Sequence, residues 1–307
     1  MMSSSALRGT AALAVDRVVT HEADCLFPVA GDGGCTGLTG PAGEDRNSDR
    51  GAPERTVLGR IATLMDAFDD VQQVVSLAEL NRRTGLPKST LHRLADQLCQ
   101  VGWIERDPGG YRVGMRMFEL GNLAVTGNRL CEAAFPHMQA LSARTGLAVQ
   151  LAVLDGAEIV YLERIVPGSM RVPTRRGGRK PAYCTALGKV MAAFDDDALE
   201  AMVAAARPRK TATTITDAGA LREELARIRV AGVAFDRGEA HEELVCVAAP
   251  IRRPGPAIGP AIGAVSVTGF SGRMRWAMAS EAVRTAASAI WNASHSLDLR
   301  GALPARV

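Results

Sequence analysis

Between Asn81 and Ala95 the chain carries Arg82, Arg83, Lys88 and Arg93 and no acidic residue, with Ser89, Thr90 and His92 set among these cations. Guanidinium and ammonium groups reach phosphate oxygens and guanine edges, and short hydroxyls donate to phosphates. The chemistry open to this set is recognition of a polyanion rather than bond making. The formal net charge of the whole chain is only +3, so any such attraction has to come from the local stripe. A small helical domain with a solvated polar face is the competing reading. The wider segment Glu54 to Arg112 is balanced in charge, which makes the acid-free stripe stand out and favours a phosphate-facing surface.

The elements that would position these residues are legible on either side of them. Val57, Leu58, Ile61, Leu64, Met65 and Phe68 repeat at helical spacing and give a structural first helix. Ser76 stands three residues before Glu79, the spacing of a capping box, and Leu77 and Leu80 follow at i, i+3. Gly85 supplies a turn residue able to take positive φ, and Pro87 suits the first turn of a second helix. From there Leu91, Leu94, Ala95 and Leu98 form one apolar stripe, which leaves Lys88, Ser89, Thr90, His92 and Arg93 on the other faces. Trp103-Ile104 and Tyr111 to Val113, separated by the turn-rich run Glu105 to Gly110, read as two short strands. Helix, turn, helix and hairpin together make a winged helix-turn-helix, whose second helix enters the major groove of double-stranded DNA.

A chain of 307 residues is long enough to divide its core between two domains. Residues 1–53 are rich in Gly, Ser, Ala and Asp and form an N-terminal arm expected to be disordered. The winged helix-turn-helix takes 54–115. Met115 to Asn128 is apolar-rich and reads as a linker helix, either pairing with its copy in a dimer or packing within its own domain; the linker is placed at 116–129 and a second domain at 130–300. There the texture changes. Ala148 to Leu154 and Ile159 to Glu163 are strand-like around an Asp155-Gly156 hairpin signal, helical stretches recur at 187–194, 198–206 and 220–231, and further strands are expected at 245–251 and 261–268. The class is α+β with a mostly antiparallel sheet. Cys25, Cys35, Cys99, Cys131, Cys184 and Cys246 are scattered without metal-ligand spacing, and no apolar run reaches the ~20 residues a bilayer requires. Reduced thiols, no metal, no cofactor and a cytoplasmic location are the expectations. His241 beside Glu242 and Glu243 lacks a third ligand and is assigned no ion.

The run SLAELNRRTGLPKSTLHRLADQLCQVGWIERDPGGYRVGMRMFELG closely resembles the DNA-binding half of IclR-type transcriptional regulators. Three later blocks resemble that family's C-terminal half: RIVPGSMRVPTRRGGRKPAYCTALGKVMAAF, VAFDRGEAHEELVCVAAPI and IGAVSVTGF. The resemblance covers about Glu54 to Leu297. It implies a GAF-like effector-binding domain with a curved antiparallel sheet, and a pocket to which Ala186, Leu187, Asp236, Cys246, Ser266 and Thr268 correspond position by position. Ala186 and Leu187 would offer backbone amides to an acidic effector. Ser266 and Thr268 alternate on one strand, so their hydroxyls share a face. Thr268 stands where the family often has Ser, and Ala186 where it has Gly; the Pro- and Gly-rich stretch Arg252 to Pro260 lengthens a loop beside the pocket strands. On the residues alone Asp236 could equally cap a turn, Cys246 fill the core, and Ser266 and Thr268 satisfy backbone groups. The basic run Arg171, Arg175, Arg176, Arg179 and Lys180 reads as a solvated Gly-rich loop or a lure for anionic effectors.

The resulting expectation is a ligand-responsive regulator, most often a repressor in this family, binding a roughly palindromic operator as a homodimer or homotetramer and sensing a small polar or carboxylate metabolite. An architectural DNA-binding protein without a ligand is one alternative. An enzyme using Cys246 with His241 or Asp236 is another, although no GxSxG, SxxK or Cys-His signature supports it.

Overall fold

The computed structural model describes residues 56–69, 74–126, 129–168, 170–253 and 259–301. The arm 1–53 and the middle of the 252–260 loop lie outside the described residues. The N-terminal elements follow the order read from the sequence: α1 (Val57–Asp66), α2 (Leu77–Thr84), α3 (Lys88–Gln100), β1 (Ile104–Asp107) and β2 (Gly110–Val113). Ser76 Oγ accepts the Glu79 amide hydrogen at 3.2 Å and caps α2. Gly85 ends that helix at φ 66°, where its N–H donates to Asn81 O at 2.9 Å. Leu64, Phe68, Leu80, Leu86, Leu91, Leu94, Leu98, Ile104 and Tyr111 form the core of this part.

The hairpin is longer than expected. Glu105, Arg106 and Asp107, assigned to a loop on polarity, continue β1, and the turn shrinks to Pro108-Gly109. Cross-strand pairing overrides the turn-like composition. Glu105 sits opposite Arg112 with a 2.7 Å ion pair, and the Arg106 guanidinium lies over the Tyr111 ring, 5.5 Å from its centroid. Val75 and Tyr111 exchange backbone hydrogen bonds of 2.8 and 2.9 Å, which ties the wing to the residue just before α2.

The chain continues through α4 (Met115–Thr126) and α5 (Arg129–Thr145) into an antiparallel sheet. Its strands are β3 (Ala148–Asp155), β4 (Glu158–Ile165), β5 (Arg179–Pro181), β6 (Ala234–Arg237), β7 (Leu244–Ile251) and β8 (Gly263–Phe270). Among the described residues these six strands run in the order β5-β4-β3-β8-β7-β6 and form a curled sheet. Side chains alternate along each strand, so the sheet has two apolar faces. Val149, Leu151, Val247, Val265 and Val267 pack on α5 and α9 (Trp276–Gly301). Ala152, Tyr161, Ala248 and Ala264 pack on the opposite side, with α6 (Ala186–Ala192), α7 (Asp196–Ala204) and α8 (Ala218–Ala231). Part of the expected basic loop is an edge strand: Arg179 and Lys180 pair with Val160 and Ile159 of β4. Among the described residues no helix is long and apolar enough to cross a membrane.

Candidate functional site

The first candidate surface is that of α3. Leu91, Leu94, Ala95 and Leu98 are buried, as the apolar stripe requires, while Lys88, Ser89, His92 and Arg93 are exposed and Thr90 is half-buried. Among the described residues Lys88 and Arg93 take part in no ion pair, so their charges face solvent. The two arginines of α2 differ. Arg83 is spent inside the domain, donating to Ala67 O at 2.9 Å and pairing with Asp69 at 2.8 Å and Glu79 at 2.5 Å. Arg82 also binds Glu79, at 2.6 Å, but its side chain remains largely exposed. These two guanidiniums pull the Glu79 carboxyl down to about 2. The sequence stripe contains no acid, yet one helical turn earlier Glu79 neutralises its first two cations. The candidate residues left open to solvent are therefore Lys88, Ser89, His92 and Arg93, with Thr90 half-covered and Arg82 paired but exposed.

The second site is a cavity of about 120 Å³ on the α6 side of the sheet. Ala186, Leu187, Asp236, Cys246, Ser266 and Thr268, six residues from four separate stretches of sequence, all line it. Strand register explains the convergence. Asp236 of β6 is opposite Cys246 of β7, Cys246 opposite Thr268 of β8, and Ser266 opposite Gln150 of β3. A polar row thus crosses four strands on one face of an otherwise apolar sheet. Gln150 Oε1 accepts from Ser266 Oγ at 3.2 Å and Thr268 Oγ1 at 2.9 Å, and its Nε2 donates to Thr174 Oγ1 at 3.0 Å. Cys246 Sγ lies 2.9 Å from Thr268 Oγ1.

Across from this row begins α6. Thr185 caps it, its Oγ1 accepting the Gly188 amide hydrogen at 3.1 Å. The amides of Ala186 and Leu187, in the first turn, have no intrahelical acceptor. Gly188 lets the helix press against the preceding 3₁₀ turn: a Cβ there would fall 2.3 Å from Ala182 O. Beneath the cavity the wholly buried Lys189 of α6 binds Glu239 at 2.5 Å, and the Glu239 amide donates to Asp236 Oδ1 at 2.6 Å. Burial raises the Asp236 carboxyl to about 7 despite that backbone hydrogen bond. Burial likewise pushes the Cys246 and Tyr161 groups up, Cys184 to about 12. A thiol held this firmly in its protonated form is a poor nucleophile.

Sequence reasoning missed Gln150, Tyr161 and Thr174, which also line the cavity, as do Lys180 and His241, which it considered in other roles. Gln150 carried a signal: it is the one amide in the apolar run AVQLAVL. Of the basic run, Arg176 faces Glu163 at 3.6 Å and Arg179 pairs with Asp155 and Glu158, whereas Lys180 borders the cavity.

Two family models match the chain: "IclR helix-turn-helix domain" over residues 57–108 and "Bacterial transcriptional regulator IclR C-terminal" over residues 122–292. The HTH-type transcriptional regulator XynR of Escherichia coli is 34% identical over 197 residues, covering 62% of this chain and 78% of XynR. The DNA-binding transcriptional repressor YiaJ of the same organism is 31% identical over 196 residues, with 61% and 70% covered. Among solved structures, an IclR homolog from Microbacterium hydrocarbonoxydans complexed with 4-hydroxybenzoate superposes with a TM-score of 0.70 at 30% identity, covering 78% of this chain and all of that one.

Proposed function

This chain belongs to the IclR family, DNA-binding transcriptional regulators with a C-terminal effector domain, and from that premise we propose that it is a repressor whose hold on its operator is set by a small carboxylate bound in the cavity beneath α6. The convergence of all six expected residues on one cavity carries this reading. Its volume, about 120 Å³, is below the roughly 150 Å³ of a cavity that accommodates benzene, so a short acid fits it outright and an aromatic acid requires its walls to give way. The first-turn amides of α6 and the neighbouring Lys180 would take the carboxylate. The polar row would take the remainder of the molecule. Repression follows the example of YiaJ, and an aromatic acid follows the 4-hydroxybenzoate in the Microbacterium homolog.

In this reading Lys88, Ser89, Thr90, His92 and Arg93 meet the major groove, and the effector acts by binding the DNA-competent and DNA-incompetent arrangements unequally. The protein is a homodimer or homotetramer acting in the cytoplasm, without metal or cofactor. It is not an enzyme: Cys246 hydrogen-bonds to Thr268 rather than to a base, and its thiol stays protonated.

Fluorescence anisotropy with DNA from upstream of the gene, against scrambled DNA of equal length and across a salt series, tests the proposal. Sequence-selective binding that survives rising salt is expected, because base readout persists where phosphate attraction fades. Millimolar 4-hydroxybenzoate should then shift the binding curve. Equal affinity for both DNAs, or no effect of any small carboxylate, would overturn it.

A further inference from the structure

We infer that Gln150 is a specificity-determining residue of this cavity, and that its cluster with Thr174, Ser266 and Thr268 selects carboxylic acids bearing a remote hydroxyl over the same acids without one. The inference rests on the reading of the cavity as a carboxylate effector site. Gln150 is 2% exposed and stands at the centre of three hydroxyls drawn from two parts of the chain. Ser266 and Thr268 come from β8. Thr174 comes from the segment between β4 and β5, which with Val172 and Pro173 forms another wall of the cavity.

A hydroxyl has one donor and two acceptor sites; Gln150 uses one site of each of its partners, and Thr268 has a second in use with Cys246 Sγ at 2.9 Å. The cluster therefore keeps hydrogen-bonding capacity directed at whatever fills the cavity. In so small a space a ligand anchored by its carboxylate near α6 must bring its other end against this wall. A hydrocarbon end would leave the remaining sites of these hydroxyls unused, whereas a ligand hydroxyl adds a hydrogen bond to the row. Sites built to bond a ligand hydroxyl reject the analogue lacking it more strongly than apolar pockets reject an added one. Gln150 sets that preference by fixing where Ser266 and Thr268 point. It also ties the choice to the β4–β5 segment through Thr174.

The test is isothermal calorimetry on the full chain with two matched pairs of acids, benzoate against 4-hydroxybenzoate and propionate against 3-hydroxypropionate. The wild-type protein should bind the hydroxylated member of at least one pair about tenfold more tightly. Gln150→Leu should bring that ratio to about twofold or less by weakening the hydroxylated acid, leaving its partner within about threefold. Gln150→Met serves as a second variant of similar length, with near-ultraviolet circular dichroism to check folding. A wild-type protein that binds both members of each pair equally, a ratio unchanged in a folded variant, or failure of both variants to fold would overturn the role given to Gln150. A wild-type protein that binds none of the four acids would overturn the carboxylate reading beneath it, and the inference with it.

Discussion

Asp236 is held in a place where ionisation is costly, and this gives it a measurable pH signature. Its folded value near 7 lies well above the roughly 4 of an unfolded Asp. The folded protein therefore keeps a proton that the unfolded chain releases. The stability linked to that proton is fully present below about pH 4 and is lost as pH rises through 7. The melting temperature of effector-free protein should fall between pH 5 and 8, and Asp236→Asn should flatten that slope; a variant profile as steep as the wild-type one would show that other groups carry it. An ionised Asp236 also repels an anionic ligand, so carboxylate affinity should drop above pH 7 in the wild type and much less in Asp236→Asn, as calorimetry across pH would reveal. The arginines separate in a similar way. Arg93→Ala should weaken operator binding by about 1–3 kcal/mol with an unchanged melting temperature. Arg83→Ala removes a partner of Asp69, Glu79 and Ala67 O and should lower the melting temperature first. Anisotropy and thermal melts on the two variants would expose a swapped pattern.

At the level of elements, legibility followed periodicity. The capping Ser76, the αL Gly85 and the apolar stripe of α3 lie where local rules place them, because each is decided by neighbours within four residues. The wing was read too short because Glu105, Arg106 and Asp107 look like turn residues until their cross-strand partners are known. Helices α5 and α9 were not read at all. Pro136 interrupts the pattern of α5, and α9 is rich in alanine, whose burial only the sheet can reveal. Strand β6 is four residues long and escaped for want of length. Asp236, Cys246, Ser266 and Thr268 were reachable only through family resemblance, and Gln150 not through it, since strand register, which no local pattern encodes, is what brings the five together. Gly188 gives this scale its prediction. Its added methyl would strike the Ala182 backbone, so Gly188→Ala should displace the start of α6 and abolish effector binding while anisotropy still reports operator binding. Retained effector affinity would show that the contact relaxes without disturbing the cavity.

At the scale of the whole molecule, α4 leaves Met115, Phe118 and Leu123 exposed, Leu123 by 72%. An apolar face of this kind is costly in water and suits a contact between copies. Replacing Leu123 with Glu should move the protein to a smaller species in analytical ultracentrifugation and reduce operator affinity at least tenfold, since one recognition helix would lose its tethered twin; an unchanged sedimentation coefficient would remove α4 from the interface. The way the large sheet ends narrows the choice of interface further. Its outer strands are only three and four residues long, β5 reading Arg-Lys-Pro and β6 finishing on Asp-Arg. Short, charged borders, one of them ending on proline, are poor templates for another chain's backbone. Growth by strand addition, the route that leads from ordered assembly toward fibrils, is thereby discouraged at both margins.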